Sequence, residues 1–505
     1  MNERLRQHQQ QPFESLRSIL ASCQSAVDGS GTGTGKTYVG AAVAVALGQP
    51  TLVVGPKVAR STWARAAAHF SDKFSYCNYE LLRTGGTDFG KWDKQKKSVT
   101  YYRCQCCQCE VDLQKFTPCV AHPQGIHCLE TRKRPAVYGN FHFHPAVRFL
   151  IFDEVHRCNG IDSLNAELLI AAKRQNIKTL ALSATMAQSP VNMRALGYLL
   201  DLHADKKPVE CIRGGRLIQQ PSFSQWMSGY KCRWDLRFKG YKWFASAAEQ
   251  SVIMRQIRDS IIPARGVRVR SEDILGFPKR VILPELYDLD APDKVDGCYS
   301  RMAGALEKLR NTKLSDKNPE HPLTVILRAR QEVELLKVPI VAELSEDDLA
   351  KGFSVVFFVN FRQTIDELLK IYPDAGVIDG TNPDTRDGVV EKFQDNSNRR
   401  LIVNNEAGGV CLSLHDLIGD YARMGYVFPN FSATSMQQVF GRFQRDGGKS
   451  TCYYRVIFAN KTVEMPVHKS LMSKLDAMGA LMDGALADDD FRPVDLRFKL
   501  DKLKS

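Results

Sequence analysis

The chain runs to 505 residues, too many for one hydrophobic core, and its 44% apolar and 25% charged content predicts two or three ordinary folded domains. No apolar run reaches the roughly 18 residues of a membrane span, and the polar, glutamine-rich Met1–Pro12 lacks the apolar centre of a secretory signal, so a cytosolic location, bacterial or host, is expected. A net charge of +13 predicts a polyanionic partner, because 16 basic and only 6 acidic side chains fall between Lys206 and Arg280.

Phe13–Leu20 has apolar residues at helical spacing and predicts a first helix. Next comes Ser30-Gly31-Thr32-Gly33-Thr34-Gly35-Lys36-Thr37, followed by a small-residue apolar run, Tyr38–Leu47, that suits a second helix. Alternating glycines let the backbone wrap an anion, so that successive N–H groups and the positive end of the following helix face one phosphate cluster. In this pattern Lys36 reaches the β- and γ-phosphates and the Thr37 hydroxyl holds Mg²⁺, which makes ATP and Mg²⁺ the predicted cofactors. Ser30 stands where the strict pattern has glycine. Thr51–Val54 is a β-branched strand closing at Gly55-Pro56-Lys57, and strand, loop, helix, strand opens a parallel α/β sheet.

From Tyr101 that pattern breaks. Six of the 14 cysteines lie between Cys104 and Cys128, with His122 and His127 among them. Such a segment buries little apolar surface, so a structural Zn²⁺ is expected there. Cys104 with Cys107 reads as one knuckle and Cys119 with Cys128 as the second pair; Cys106 with Cys109 has the same spacing, and His122 and His127 compete for places.

The α/β pattern resumes at Val147–Phe152, an apolar strand that delivers Asp153 and Glu154 at its carboxyl end. An aspartate there suits a ligand of Mg²⁺, and Glu154 beside it can polarise an attacking water. Another strand, Thr179–Leu182, ends in Ser183-Ala184-Thr185. Between Lys206 and Arg280, Trp226, Tyr230, Trp234, Tyr241 and Trp243 interleave with Lys231, Arg233 and Lys242, a pattern in which cations meet phosphates and rings meet bases. Residues from Glu285 to Leu344 read as largely helical, and Val355–Val359 and Leu401–Asn404 open a second set of strands. Gln438 then precedes Gly441-Arg442 and Arg445, whose spacing of three predicts two guanidiniums on one helix face. A planar, permanently charged fork suits a γ-phosphate whose charge builds during transfer.

Taken in order, these motifs resemble those of superfamily-two helicases of the DExH-box type, closest to the Swi/Snf-like translocases and their phage and viral relatives. Asp153-Glu154-Val155-His156 followed by Ser183-Ala184-Thr185 carries the resemblance. Gly55-Pro56-Lys57 with Trp63, Asn78-Tyr79-Glu80-Leu81, Gln188-Ser189-Pro190 and Ala407–Leu414 add to it, with Met186 where that branch has proline. Arg6, His8 and Gln9 resemble the motif whose glutamine reads adenine. The resemblance implies two RecA-like parallel-sheet lobes in tandem with a small zinc-binding insertion in the first. Residues 1–205 would form the first lobe, with the insertion at about 100–146, residues 206–284 a basic, aromatic-rich linker, 285–480 the second lobe and 481–505 a tail. It also implies a nucleic-acid-dependent ATPase acting as a DNA helicase or duplex translocase, with RNA the less favoured partner and Ser183 and Thr185 coupling strand to nucleotide. The alternative is an ATP-switched nucleic-acid-binding or remodelling protein that separates no strands.

Overall fold

In the computed structural model, Thr51–Gly55 and Phe149–Asp153 are buried at every position. Near-continuous apolar strands of this kind are what a parallel sheet covered on both faces requires. The structure describes residues 2–96, 99–104, 110–111, 129–134, 137–213, 216–236, 240–311, 322–381, 386–405, 412–429, 433–460 and 464.

The first lobe is built on β1 (Ser25–Asp28), β2 (Thr51–Gly55), β3 (Ser75–Asn78), β4 (Phe149–Asp153), β5 (Lys178–Leu182) and β6 (Gly266–Val267). These pair in the order β6-β1-β5-β4-β2-β3, all parallel. One face is covered by helices α1 (Gln7–Ser22), α2 (Lys36–Leu47) and α3 (Arg60–His69), through Leu16, Leu20, Ala41, Val43 and Trp63. The other is covered by the helices Leu164–Arg174 and Arg194–Leu199.

The second lobe repeats the plan with β7 (Arg280–Tyr287), β8 (Ser354–Val359), β9 (Gly376–Ile378), β10 (Arg400–Asn404), β11 (Arg423–Val427) and β12 (Cys452–Ala459). Their order is β7-β12-β11-β8-β10-β9, again all parallel. The expected pair of RecA-like lobes is therefore what the chain forms. Parallel strands bring their carboxyl ends to one edge, so the loops after β1, β4 and β5 meet in one crevice.

Two details depart from the sequence reading. Residues 285–287, read as the start of a helical stretch, lie in β7, which carries Pro284 in its interior. Proline lacks the N–H a central strand needs, but β7 is an edge strand, where that loss is tolerated. Residues 206–284 also do more than link the lobes, since β6 adds to the first sheet and β7 begins at Arg280. The proposed zinc ligands Cys107, Cys119 and Cys128 lie outside the described residues, as do Cys106, Cys109, His122, His127 and the side chain of Cys104. Ala407–Val410 and all of 481–505 lie outside them too. Among the described residues no helix is long and apolar enough to cross a membrane.

Candidate active site

The glycine-rich loop leaves β1 and turns into α2 through two left-handed residues, Gly33 at φ +80° and Gly35 at φ +90°. A side chain at either position would be strained, and a Cβ on Gly33 would lie 2.6 Å from the carbonyl oxygen of Gln444 in the second lobe. Ser30 has a use that glycine lacks: its hydroxyl accepts from Val269 N–H at 3.0 Å, while its own N–H donates to Asp28 at 2.9 Å. That ties the loop to the strand-to-strand connection after β6. Thr34 is buried and donates to Gly31 O at 2.9 Å, closing the loop on itself.

Lys36 lies at the start of α2, where its ammonium donates to the carbonyls of Ser30 and Gly31, both at 2.9 Å. Burial pulls its pKa down, opposed by the charges of Asp28, Glu154 and Asp153. Gln9 spans two elements: its amide nitrogen donates to Thr34 O at 3.2 Å, and its oxygen accepts from Arg6 N–H at 3.1 Å. The side chain braces the loop as well as lining the cavity described below.

Asp153 ends β4 and accepts from the indole N–H of Trp63 at 2.8 Å. Burial raises its carboxyl pKa, with the Glu154 charge adding to the rise. For Glu154, burial also acts upward, but the hydrogen bond and charge of His156, with Lys36 and Arg442, bring the net shift below the usual carboxylate value. His156 Nδ1 lies 3.2 Å from Glu154 and 3.1 Å from Ser183 Oγ, and its Nε2 lies 2.8 Å from the amide nitrogen of Gln438 in the second lobe. The imidazole thus bridges Glu154 and Ser183 of the first lobe to Gln438 of the second. Thr185 is part of the same cluster, its hydroxyl 3.5 Å from His156.

Arg442 and Arg445 do not share a helix face as expected. The helix Ala433–Phe440 stops one residue before Gly441, and the two arginines follow in the turn and loop beyond it. Gly441 lets the lobes approach at this point: a Cβ there would come within 2.3 Å of Thr32 in the glycine-rich loop, so no side chain fits. Asp446 N–H then donates to Gly33 O at 3.3 Å, and the Arg445 guanidinium donates to Leu412 O at 3.0 Å.

The result is a cavity of about 470 Å³ between the lobes. Lys36, Thr37, Asp153 and Glu154 line it from one side, and Arg442 and Arg445 from the other. Gln9, Thr32, Gly33 and Gly35 also line it; Gly31 and Thr34 lie behind, in the loop's own hydrogen bonds. The oxygen donors Thr37 and Asp153 on one wall suit a hard divalent cation such as Mg²⁺. Sequence reasoning missed Arg65 and His69 as lining residues, and Asp446, Ser413 and Arg4 with them. Thr62, Arg65 and His69 lie at helical spacing on α3 and were legible as one polar face.

Residues 2–188 match the family model described as the res subunit of type III restriction enzymes. A "Putative ATP-dependent RNA helicase" of Acanthamoeba polyphaga mimivirus is 28% identical over 484 residues, covering 93% of this chain and 82% of that protein. The chain is a helicase-type ATPase. Among solved structures, this ATPase is distantly similar to the Sulfolobus solfataricus SWI2/SNF2 ATPase core in complex with dsDNA, at 14% identity and a TM-score of 0.33, over 96% of this chain and 93% of that one. It is also distantly similar to S. cerevisiae Dbp5 bound to RNA and ADP BeF3, at 10% identity and a TM-score of 0.42, over 99% and 97%.

Proposed function

We propose that the chain hydrolyses ATP between its lobes and couples that cycle to movement along a nucleic-acid strand, as a DExH-type relative of the Swi/Snf-like translocases. The observation that carries the reading is the composition of the shared cavity, where neither wall holds a full set of groups. Residues Gly31–Thr37 cradle the phosphates, and Lys36 must leave the Ser30 and Gly31 carbonyls to meet them. Thr37 and Asp153 would hold Mg²⁺, which would supply positive charge to neutralise the phosphates. Glu154 orients a water for attack on the γ-phosphorus and takes its proton as the bond to the departing ADP oxygen breaks. Arg442 and Arg445 stabilise the charge that builds on the γ-phosphoryl oxygens.

DNA is the proposed track, supported by the likeness of Gly55-Pro56-Lys57 and Trp63 to the translocase motif. One observation favours RNA instead: the mimivirus relative is named as an RNA helicase. ATPase rates measured with single-stranded DNA, duplex DNA, forks and RNA decide between them. The true track should raise the rate about tenfold or more, an ordinary coupling between two sites. A rate indifferent to all four overturns the motor reading and leaves a nucleotide-switched binding protein.

Zinc in the insertion is proposed on the paired cysteine spacing. Metal analysis of the purified chain should find about one Zn²⁺ per molecule, lost on Cys104→Ser; full occupancy in that variant would move the site to Cys106 and Cys109.

A further inference from the structure

The rings and cations of the basic segment are sorted by an antiparallel hairpin, Cys232–Asp235 with Gly240–Trp243. Cys232 opposes Trp243, Arg233 opposes Lys242, and Trp234 opposes Tyr241. Side chains alternate along a strand, so Cys232, Trp234, Tyr241 and Trp243 share one face while Arg233 and Lys242 share the other. At its root the aromatic face is packed: Cys232 is buried with Phe223 and Met227, and Val191, Tyr241 and Trp243 close round them. Farther out the packing is unfinished. Trp234 is 52% exposed, its ring edge-on to Tyr241 at 5.2 Å.

The two faces ask for different things. A half-exposed indole gains from a flat apolar ring laid against it, while Arg233 and Lys242 stand opposite each other on the far face, where Asp235 shares the face and the Lys242 ammonium lies 5.6 Å from the Phe244 ring centre, a set of cations to which an anion adds. A flexible strand that passes over the hairpin's edge offers a base to one face and its flanking phosphates to the other. Bases in a duplex are already stacked, so the fitting partner is a single strand.

The hairpin is also tied to the nucleotide site. Its second strand packs on the turn Pro190–Met193, through Val191. That turn continues the segment that begins at Ser183, which meets His156 and, through it, Gln438.

We propose that the Cys232–Trp243 hairpin is a contact for single-stranded nucleic acid, with a base stacked on Trp234 and flanking phosphates held by Arg233 and Lys242. The proposal rests on the reading that this ATPase acts on nucleic acid, and adds which element grips the strand and in what form. The test measures binding of a fluorescent oligonucleotide, and of an abasic strand of equal length, to the full chain. Trp234→Ala should bind the base-bearing strand about tenfold more weakly, the worth of one stacked base, and the abasic strand as wild type does; Trp234→Phe should recover most of the loss. Replacing Arg233 and Lys242 together by serine should weaken both strands alike and lower the salt dependence by about two phosphate contacts. Basal ATPase without nucleic acid should stay at the wild-type rate in every variant. If the wild-type rate responds to nucleic acid but Trp234→Ala binds both strands normally, the hairpin assignment is overturned and the motor reading stands. If the wild-type rate responds to none, the motor reading fails, and strand binding that depends on Trp234 would still uphold the hairpin.

Discussion

Glu154 is held at φ +54°, a backbone that glutamate seldom adopts and that costs about 1–3 kcal/mol. The surroundings that impose it are on both sides: Asp153 is pinned by Trp63 and by Tyr79, whose hydroxyl donates to the Asp153 carbonyl at 2.8 Å, and the Glu154 carboxylate is drawn to His156. A side chain bent toward the cavity at that expense is positioned for chemistry rather than packing. Glu154→Gln keeps size and backbone while removing the negative charge. Turnover should fall about 10²–10⁴-fold, the usual worth of a positioned base. A fluorescent ATP analogue should still bind with nearly the wild-type affinity. A wild-type rate in that variant would take Glu154 out of the reaction.

At the level of elements, the central strands and the glycine-rich loop were legible because their constraints are local. Burial on both faces writes an unbroken apolar run into β2 and β4, and the left-handed turns write Gly33 and Gly35. What failed to show depends on neighbours distant in sequence. Helix α1 begins at Gln7, six residues before the apolar spacing starts, because glutamine is a good helix former that leaves no periodic signal. Strand β7 is masked by Pro284, which only its edge position permits. Glycine stands at 441, just past the helix before Arg442, because Thr32 occupies the space beside it, a contact between residues some four hundred apart in the chain. The link from Gln438 to Glu154 through His156 was equally hidden, although both end residues stood in recognised motifs.

Across the whole molecule, the lobes meet among the described residues through polar contacts beside the nucleotide cavity. Arg6 pairs with Asp446, but its side chain is 60% exposed, and such pairs contribute at most about 1 kcal/mol. Other bridges among the described residues include the His156–Gln438 hydrogen bond, the Asp446 N–H to Gly33 O hydrogen bond, the approach of His8 to Asp446 at 3.7 Å and the close approach of the glycine-rich loop to Gly441 and Gln444. A joint of this kind is not locked, so bound nucleotide can set how firmly the lobes close, and closure can be transmitted to a strand lying across both. Arg445→Ala tests that division of labour, since Arg445 belongs to the second lobe while the phosphate loop belongs to the first. Turnover should fall about 10³-fold or more, as expected on removing a guanidinium from a transferring phosphoryl group. Affinity for the ATP analogue should change by only a few-fold, and strand binding in the absence of nucleotide should be kept. Arg445→Lys should recover only part of the rate, because a point charge cannot reproduce the planar fork. Should Arg445→Ala retain turnover within about tenfold of wild type, far short of the loss expected for such a group, the second lobe would not be completing the site, and ATP would be hydrolysed by the first lobe alone.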